Sequence, residues 1–361
     1  MRSPIGFTVV AGTALLIAAG WSWSQSTRRD EVTLTNGERL TGKVLSESWK
    51  GLELDRDLDG QTDTTYPLKD VKQAVYGEQP RYMLDATLLQ SNPEKSQEYI
   101  DALRRAYVDR VSSKWILQHA YYGIARRYEE LAATDEKYVP MALEAYEKLL
   151  TDIPDTRYVV QVRTNLGQLF LYRGEMDKAR QMLSALLGRG FGDGVEAEVR
   201  MLQAQTYLLD NRIDEADKLL DQINADRLAD GAAKQRLAVL AADVQVARHE
   251  YEPAFDALAK VLSQNPDKRI CAESYAVLGD LFRLRGRYEE ALLAYLRVRF
   301  VYGEAEPSTG VAPAEPATQA RALVGATQCF RKLNRTEDAG KFRDEVKERF
   351  PGSVWETRVK E

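Results

Sequence analysis

A pair of small side chains twelve residues apart recurs along this chain: Gly167 with Ala179, Ala204 with Ala216, Ala242 with Ala254, Gly279 with Ala291, and Thr327 with Ala339. The first four copies follow one another at 37 or 38 residues. Such a period restricts the fold to an array, because one unit cannot bury its apolar face except against its neighbours. The spacing places the first small residue midway along one helix and the second early in the next, where the two backbones approach too closely for large side chains. Three residues after the first small residue stands a ring, Phe170, Tyr207, Phe282 or Phe330, with Gln245 in the third copy. On a helix that offset lies on the same face. Arg173-Gly174-Glu175, Asp210-Asn211-Arg212, Arg248-His249-Glu250 and Arg285-Gly286-Arg287 mark the turns, and Pro154, Pro266 and Pro351 end second helices. An earlier copy, Ile124-Ala125 and Tyr128 leading to Ala142 and Tyr146, has its pair 17 apart, which predicts five extra residues in its turn.

Leu278-Gly279-Asp280-Leu281-Phe282, continued by Gly286-Arg287-Tyr288-Glu289-Glu290-Ala291, resembles the tetratricopeptide repeat (TPR) family almost position for position. The resemblance runs from Tyr121 to Trp355. It implies a mainly α fold, an α-solenoid of helix-turn-helix repeats winding into a right-handed superhelix that binds other proteins, with about six repeats over residues 121–357. The period departs from the family: alanines 142, 179, 216, 254 and 291 are 37, 37, 38 and 37 apart, against about 34. Ala291 and Ala339 are 48 apart, and Glu304–Thr318, rich in proline and alanine, predicts a loop between the last two repeats. The ending Glu348-Arg349-Phe350-Pro351-Gly352-Ser353 and the long period are similar to envelope TPR proteins of Gram-negative bacteria.

Two shorter regions precede the array. Ser3 to Ser26 is uncharged and most apolar from Phe7 to Ala19, so residues 1–26 read as a signal peptide or a membrane anchor. Ser22 and Ser24 suit cleavage before Gln25, while Trp21 and Trp23 suit the interfacial belt of a retained anchor over residues 5–23. Either outcome places the remainder outside the cytoplasm, in the periplasm. Residues 30–79 then show short alternating runs around Asn36-Gly37, a hairpin signal in which both turn residues adopt positive φ. Four or five strands with Gly42 inside a long one resemble a small SH3-like or Sm-like β-barrel. Residues 81–120 read as leading helices, one of them from Pro93 to Asp109.

Little in the chain points to reaction chemistry. Two histidines and two cysteines leave no set for a zinc site or a nucleophile with its base, so the reading is no enzyme and no cofactor. A net charge of −5 with mixed signs provides no basic field for nucleic acid. Asp55, Asp57, Asp59 and Asp63 alternate like a calcium loop, but Tyr66 stands where an EF-hand has its bidentate Glu. They read chiefly as an acidic hairpin in solvent and secondarily as a weak calcium site.

Helical geometry puts residues six and three before the small residue, and one and four after it, on the face that looks into the concave groove. They are Gln161, Thr164, Gln168 and Leu171; Glu198, Met201, Gln205 and Leu208; Arg236, Val239, Asp243 and Val246; Glu273, Ala276, Asp280 and Arg283; Arg321, Val324, Gln328 and Arg331. Met201, Val239, Ala276 and Val324 form an apolar stripe flanked by charge, which suits an amphipathic helix or an extended apolar peptide. Chaperone-binding members of the family grip a carboxylate with Lys and Asn where Thr164 and Gln168 stand, so that clamp is missing. The expectation is a non-catalytic scaffold that binds a protein or peptide partner in this groove during envelope complex assembly, with membrane contact only through a retained N-terminal segment. The alternative is an extracytoplasmic sensor or adhesion module whose β domain binds calcium or glycan.

Overall fold

The computed structural model describes residues 29–77, 80–108, 114–132, 135–228, 231–303 and 316–360. The expected N-terminal segment therefore lies outside the described residues. Among the described residues no helix is long and apolar enough to cross a membrane. The chain divides into two compact units: described residues up to Val162, apart from 132–136, form one, and those from Arg163 onward, together with described residues of 132–136, form the other.

The first unit opens with five antiparallel strands, β1 Asp30–Leu34, β2 Arg39–Ser48, β3 Gly51–Asp55, β4 Thr64–Tyr66 and β5 Val71–Val75, in the order β4-β3-β2-β1-β5. β2 serves two partners: Arg39 to Gly42 pair with β1, and Lys43 to Ser48 with β3. Alternation of apolar side chains buries Val32, Leu34, Leu40, Val44, Leu52 and Leu54 on one side. The β1–β2 turn corrects the two-residue expectation. It is a four-residue loop in which Gly37 alone takes positive φ, while the Asn36 side chain accepts a hydrogen bond from Glu38 N at 2.9 Å. Helices α1 Arg81–Leu89, α2 Ser96–Val108, α3 Lys114–Ala132 and α4 Val139–Asp152 complete the unit. Ile100, Ile124, Tyr146 and Leu149 are among its buried side chains.

The second unit is a run of helix pairs. α5 Val159–Arg173 begins in the first unit and pairs with α6 Met176–Ser184; α7 Asp193–Leu209 pairs with α8 Ile213–Asp221, and α9 Gly231–Ala247 with α10 Tyr251–Ser263. α11 Lys268–Leu284 pairs with α12 Tyr288–Arg297, α13 Pro316–Lys332 with α14 Thr336–Arg349, and α15 Val354–Arg358 follows. Ala204, Ala216, Ala242, Ala254, Ala291 and Thr327 are all buried, as close packing of the pairs demands.

One turn recurs five times. Gly174, Asn211, His249, Gly286 and Asn334 have φ of 78°, 57°, 65°, 74° and 58°, the left-handed conformation that glycine and asparagine tolerate best. In each, the next residue's N–H returns to the carbonyl five residues back, from Glu175 N to Phe170 O at 2.8 Å through Arg335 N to Phe330 O at 2.9 Å, and so satisfies a helix-end carbonyl. Three of these turns add a guanidinium over the preceding ring: Arg212 on Tyr207, Arg287 on Phe282 and Arg335 on Phe330. Each of those arginines also pairs with an acid three residues on, Glu215, Glu290 or Asp338. The expected loop over 304–318 is shorter at its end: α13 begins at Pro316, a residue whose fixed φ suits the first position of a helix, and residues 304–315 lie outside the described residues.

Candidate functional site

Because successive first helices of the pairs pack side by side, the faces turned away from the second helices line a common concavity in the second unit. It holds a cavity of about 610 Å³ whose walls come from α5, α7, α9, α11, α13 and α15. Most of the wall is apolar, including Leu171, Leu208, Val239, Val246, Ala276 and Val324. The polar part of the floor is an ion cluster that joins three helices. Arg321 of α13 donates to both carboxylate oxygens of Asp243 on α9, at 2.6 and 2.7 Å, and through Nε to Asp280 on α11 at 2.6 Å. Asp280 also accepts from the Tyr295 hydroxyl at 2.6 Å and from Arg283 at 2.9 Å. Burial pushes the Asp280 carboxyl up, but Arg321, Arg283 and Tyr295 outweigh it and hold the group at about 2. Burial likewise works against the Arg321 cation, yet the two carboxylates keep its pKa well above the ordinary value. Asp243, Asp280, Arg283 and Arg321 thus satisfy one another, and the cavity presents apolar side chains interspersed with polar ones such as Gln205, Glu273 and Gln328.

Of the residues placed in the groove by helical geometry, Leu171, Gln205, Leu208, Val239, Asp243, Val246, Glu273, Ala276, Asp280, Arg283, Arg321, Val324 and Gln328 line the cavity. Positions one and four after the small residue reach it most regularly. Gln161, Thr164, Gln168, Glu198, Met201, Arg236 and Arg331 are not among its walls. Of the apolar stripe, Val239, Ala276 and Val324 line the cavity and Met201 does not. Met201, Val239, Ala276 and Val324 are 3%, 1%, 1% and 6% exposed, and Met201 packs with Ala204, Leu240 and Val244 in the seam between α7 and α9. A residue three before the small position faces the neighbouring first helix, so only its edge can reach the concavity. Arg236 is buried and pairs with Glu273 at 3.6 Å, while Arg331 donates to Val359 O at 2.9 Å.

α15 is the wall that helical periodicity missed. Val354, Trp355, Thr357 and Arg358 line the cavity. The sequence did carry a local sign of this helix, Ser353 followed three residues later by Glu356. Ser353 Oγ accepts from Glu356 N at 3.3 Å, and Glu356 accepts in return from Gly352 N at 3.0 Å.

A second polar cluster, also missed, lies within the first unit. Glu47 of β2 is buried and accepts from Tyr76 at 2.6 Å and from Gln118 at 2.9 Å, pairs with Arg157, and lies 3.3 Å from His119 Nε2. Burial raises its pKa, but His119, Arg157 and Tyr76 together hold it down at about 2. The other nitrogen of His119 meets the Tyr158 hydroxyl at 2.5 Å. These groups come from the sheet, α3 and the α4–α5 connection, so the cluster fastens the sheet to the helices.

In the acidic loop, ligand oxygens of Asp55, Asp57 and Asp63 lie within 4.8 Å of one another, and Asp59 is outside that group. Asp55 is buried and accepts from Leu58 N at 2.6 Å and Gly60 N at 2.8 Å; Asp63 accepts from Arg56 N at 2.5 Å. These carboxylates hold the loop's own backbone.

No protein-family model matches the sequence, and no curated protein matches it. Solved structures do. A tetratricopeptide repeat protein from Parabacteroides merdae is similar over 78% of this chain and 96% of its own, at 14% identity and a TM-score of 0.56. The Rap protein complexed with competence and sporulation factor is similar over 76% of each chain at 13% identity, with a TM-score of 0.49. The apo quorum sensor NprR from B. thuringiensis is similar over 74% of this chain and 77% of its own at 16% identity, with a TM-score of 0.47.

Proposed function

We propose that this chain, which has the tetratricopeptide-repeat fold, is a non-catalytic scaffold whose concave groove takes an apolar segment of a partner protein. The observation that carries this reading is the cavity of about 610 Å³, apolar over most of its wall and closed beneath by ion pairs that are already satisfied. An apolar side chain seated against Leu171, Leu208, Val246 and Val324 gains roughly 1.5 to 3 kcal/mol on full burial and leaves the Arg321 cluster undisturbed. The setting proposed is outside the cytoplasmic membrane, during assembly of an envelope complex. It is supported by the apolar stretch from Phe7 to Ala19 near the start of the sequence.

The test uses Leu208→Glu with Gln328→Glu, two half-buried residues of the cavity wall, of which Leu208 also touches the α7–α9 cluster at its edge. Affinity capture from the native host's membrane fraction, read by mass spectrometry, compares this variant with the unaltered chain after circular dichroism has shown equal helix content. Partners held by the unaltered chain are expected to be lost. Retention of the same partners by the folded variant would move the binding site off the groove.

A further inference from the structure

We infer that Phe350–Lys360, the segment containing α15, is an exchangeable occupant of the groove, seated where a partner's apolar helix would lie. This rests on the reading of the groove as the partner's site. α15 has five residues, too few to be helical without support from packing. Its support comes from far along the chain. The Tyr172 hydroxyl of α5 donates to Pro351 O at 3.3 Å, and Arg358 donates to Leu209 O of α7. Trp355 and Val359 are buried in a cluster with Tyr172, Leu323 and Val324. Val354, Trp355 and Arg358 all face the cavity, and their offsets of one and four residues put them on one side of the helix. The segment therefore presents to the groove what an amphipathic partner helix would present.

Its fit is incomplete at one atom. The Trp355 indole N–H is buried and donates to no acceptor among the described residues. Burial of a donor without an acceptor is unfavourable. A partner helix that fills the same space and supplies an acceptor, or needs none, gains against α15 at that point.

The probe is a fluorescein-labelled synthetic peptide of the sequence Phe350–Lys360, titrated by fluorescence anisotropy into the full chain and into the full chain carrying Trp355→Ala and Arg358→Ala. The variant is expected to bind the peptide at least tenfold more tightly than the unaltered chain. Adding Leu208→Glu and Gln328→Glu to it, or replacing Trp355 by alanine in the peptide, is expected to abolish binding. A folded variant that binds no better, or a variant whose whole helix array melts, overturns the inference, since α15 would then be a fixed part of the core. Hydrogen exchange on the unaltered chain gives an independent reading: the amides of Val359 and Lys360 are expected to exchange at least a hundredfold faster than those of Leu323 and Val324 beneath them, and equal rates overturn it. If the tail variant fails to bind the peptide while groove substitutions still release host partners, the occupant is refuted and the groove reading stands.

Discussion

Gly279→Ala separates close packing from intrinsic helix preference, because here the two have opposite signs. Away from contacts, alanine in place of glycine inside a helix stabilises by about 1 kcal/mol. At Gly279 a Cβ would fall within 3 Å of the Tyr295 ring, a distance real Cβ atoms do not tolerate. The ring cannot retreat: Gly325 of α13 abuts its opposite edge just as closely, its hydroxyl is held by Asp280 at 2.6 Å, and it is 1% exposed. Overpacking so confined a site costs about 3 kcal/mol, the upper part of the usual range. The balance is a net loss of about 2 kcal/mol. Gly340→Ala on α14 is the matched control, since nothing lies within 4 Å of a Cβ there, and it should gain the full preference of about 1 kcal/mol. Urea unfolding followed by circular dichroism at 222 nm would place the two variants on opposite sides of the unaltered chain. A Gly279→Ala protein as stable as its parent would show that the α11–α12–α13 packing is looser than described.

Three further outcomes are expected. Glu47 is held at about 2 against an ordinary 4.5, so its stabilisation is complete above the ordinary value and fades as pH falls toward 2; on the order of 3 kcal/mol should disappear over that window, and Glu47→Gln should flatten this part of an acid-unfolding curve. Arg321→Leu leaves Asp243 and Asp280 without their shared cation and should cost roughly 3 to 5 kcal/mol in urea unfolding, while an unchanged midpoint would mean that the remaining partners suffice. Gly286→Ala, in open space at φ 74°, should cost about 1 to 2 kcal/mol through backbone conformation alone, whereas Gly286→Asn should be close to neutral because Asn211 and Asn334 occupy the same turn position; equal losses for both would exclude that cause.

The repeat was legible because its determinants are local and recur. Small pairs, rings and turn residues each answer to neighbours close in the chain, as Gly167 does to Leu183 and Gly279 to Tyr295, and the left-handed turn explains why glycine, asparagine and His249 alternate at one place. The groove was legible in part for the same reason: periodicity around one helix assigns Gln205, Asp243, Asp280 and Gln328 to the concave face. It could not decide how deeply Met201 sinks, because that depends on how closely α7 meets α9. Glu47 was illegible altogether. In a strand of alternating residues a carboxylate reads as solvent-facing, and the groups that make its burial tolerable, His119 and Arg157, stand 72 and 110 residues away. α15 announced itself through Ser353 and Glu356, but nothing near it in sequence names Tyr172 or Leu209 as its neighbours.

Those last contacts bear on how the chain is made. In an open array each repeat can settle as soon as its neighbour has left the ribosome, so folding keeps pace with synthesis. Tyr172 meets Pro351 across 179 residues. At roughly 5 to 20 residues per second, the α5 end of the groove waits on the order of 9 to 36 seconds for its last wall. The other walls are added in turn through that interval, α13 last, so between the making of α13 and that of α15 the cavity lies open at one side, and an apolar segment nearby, including a newly made partner, can meet the groove before α15 does.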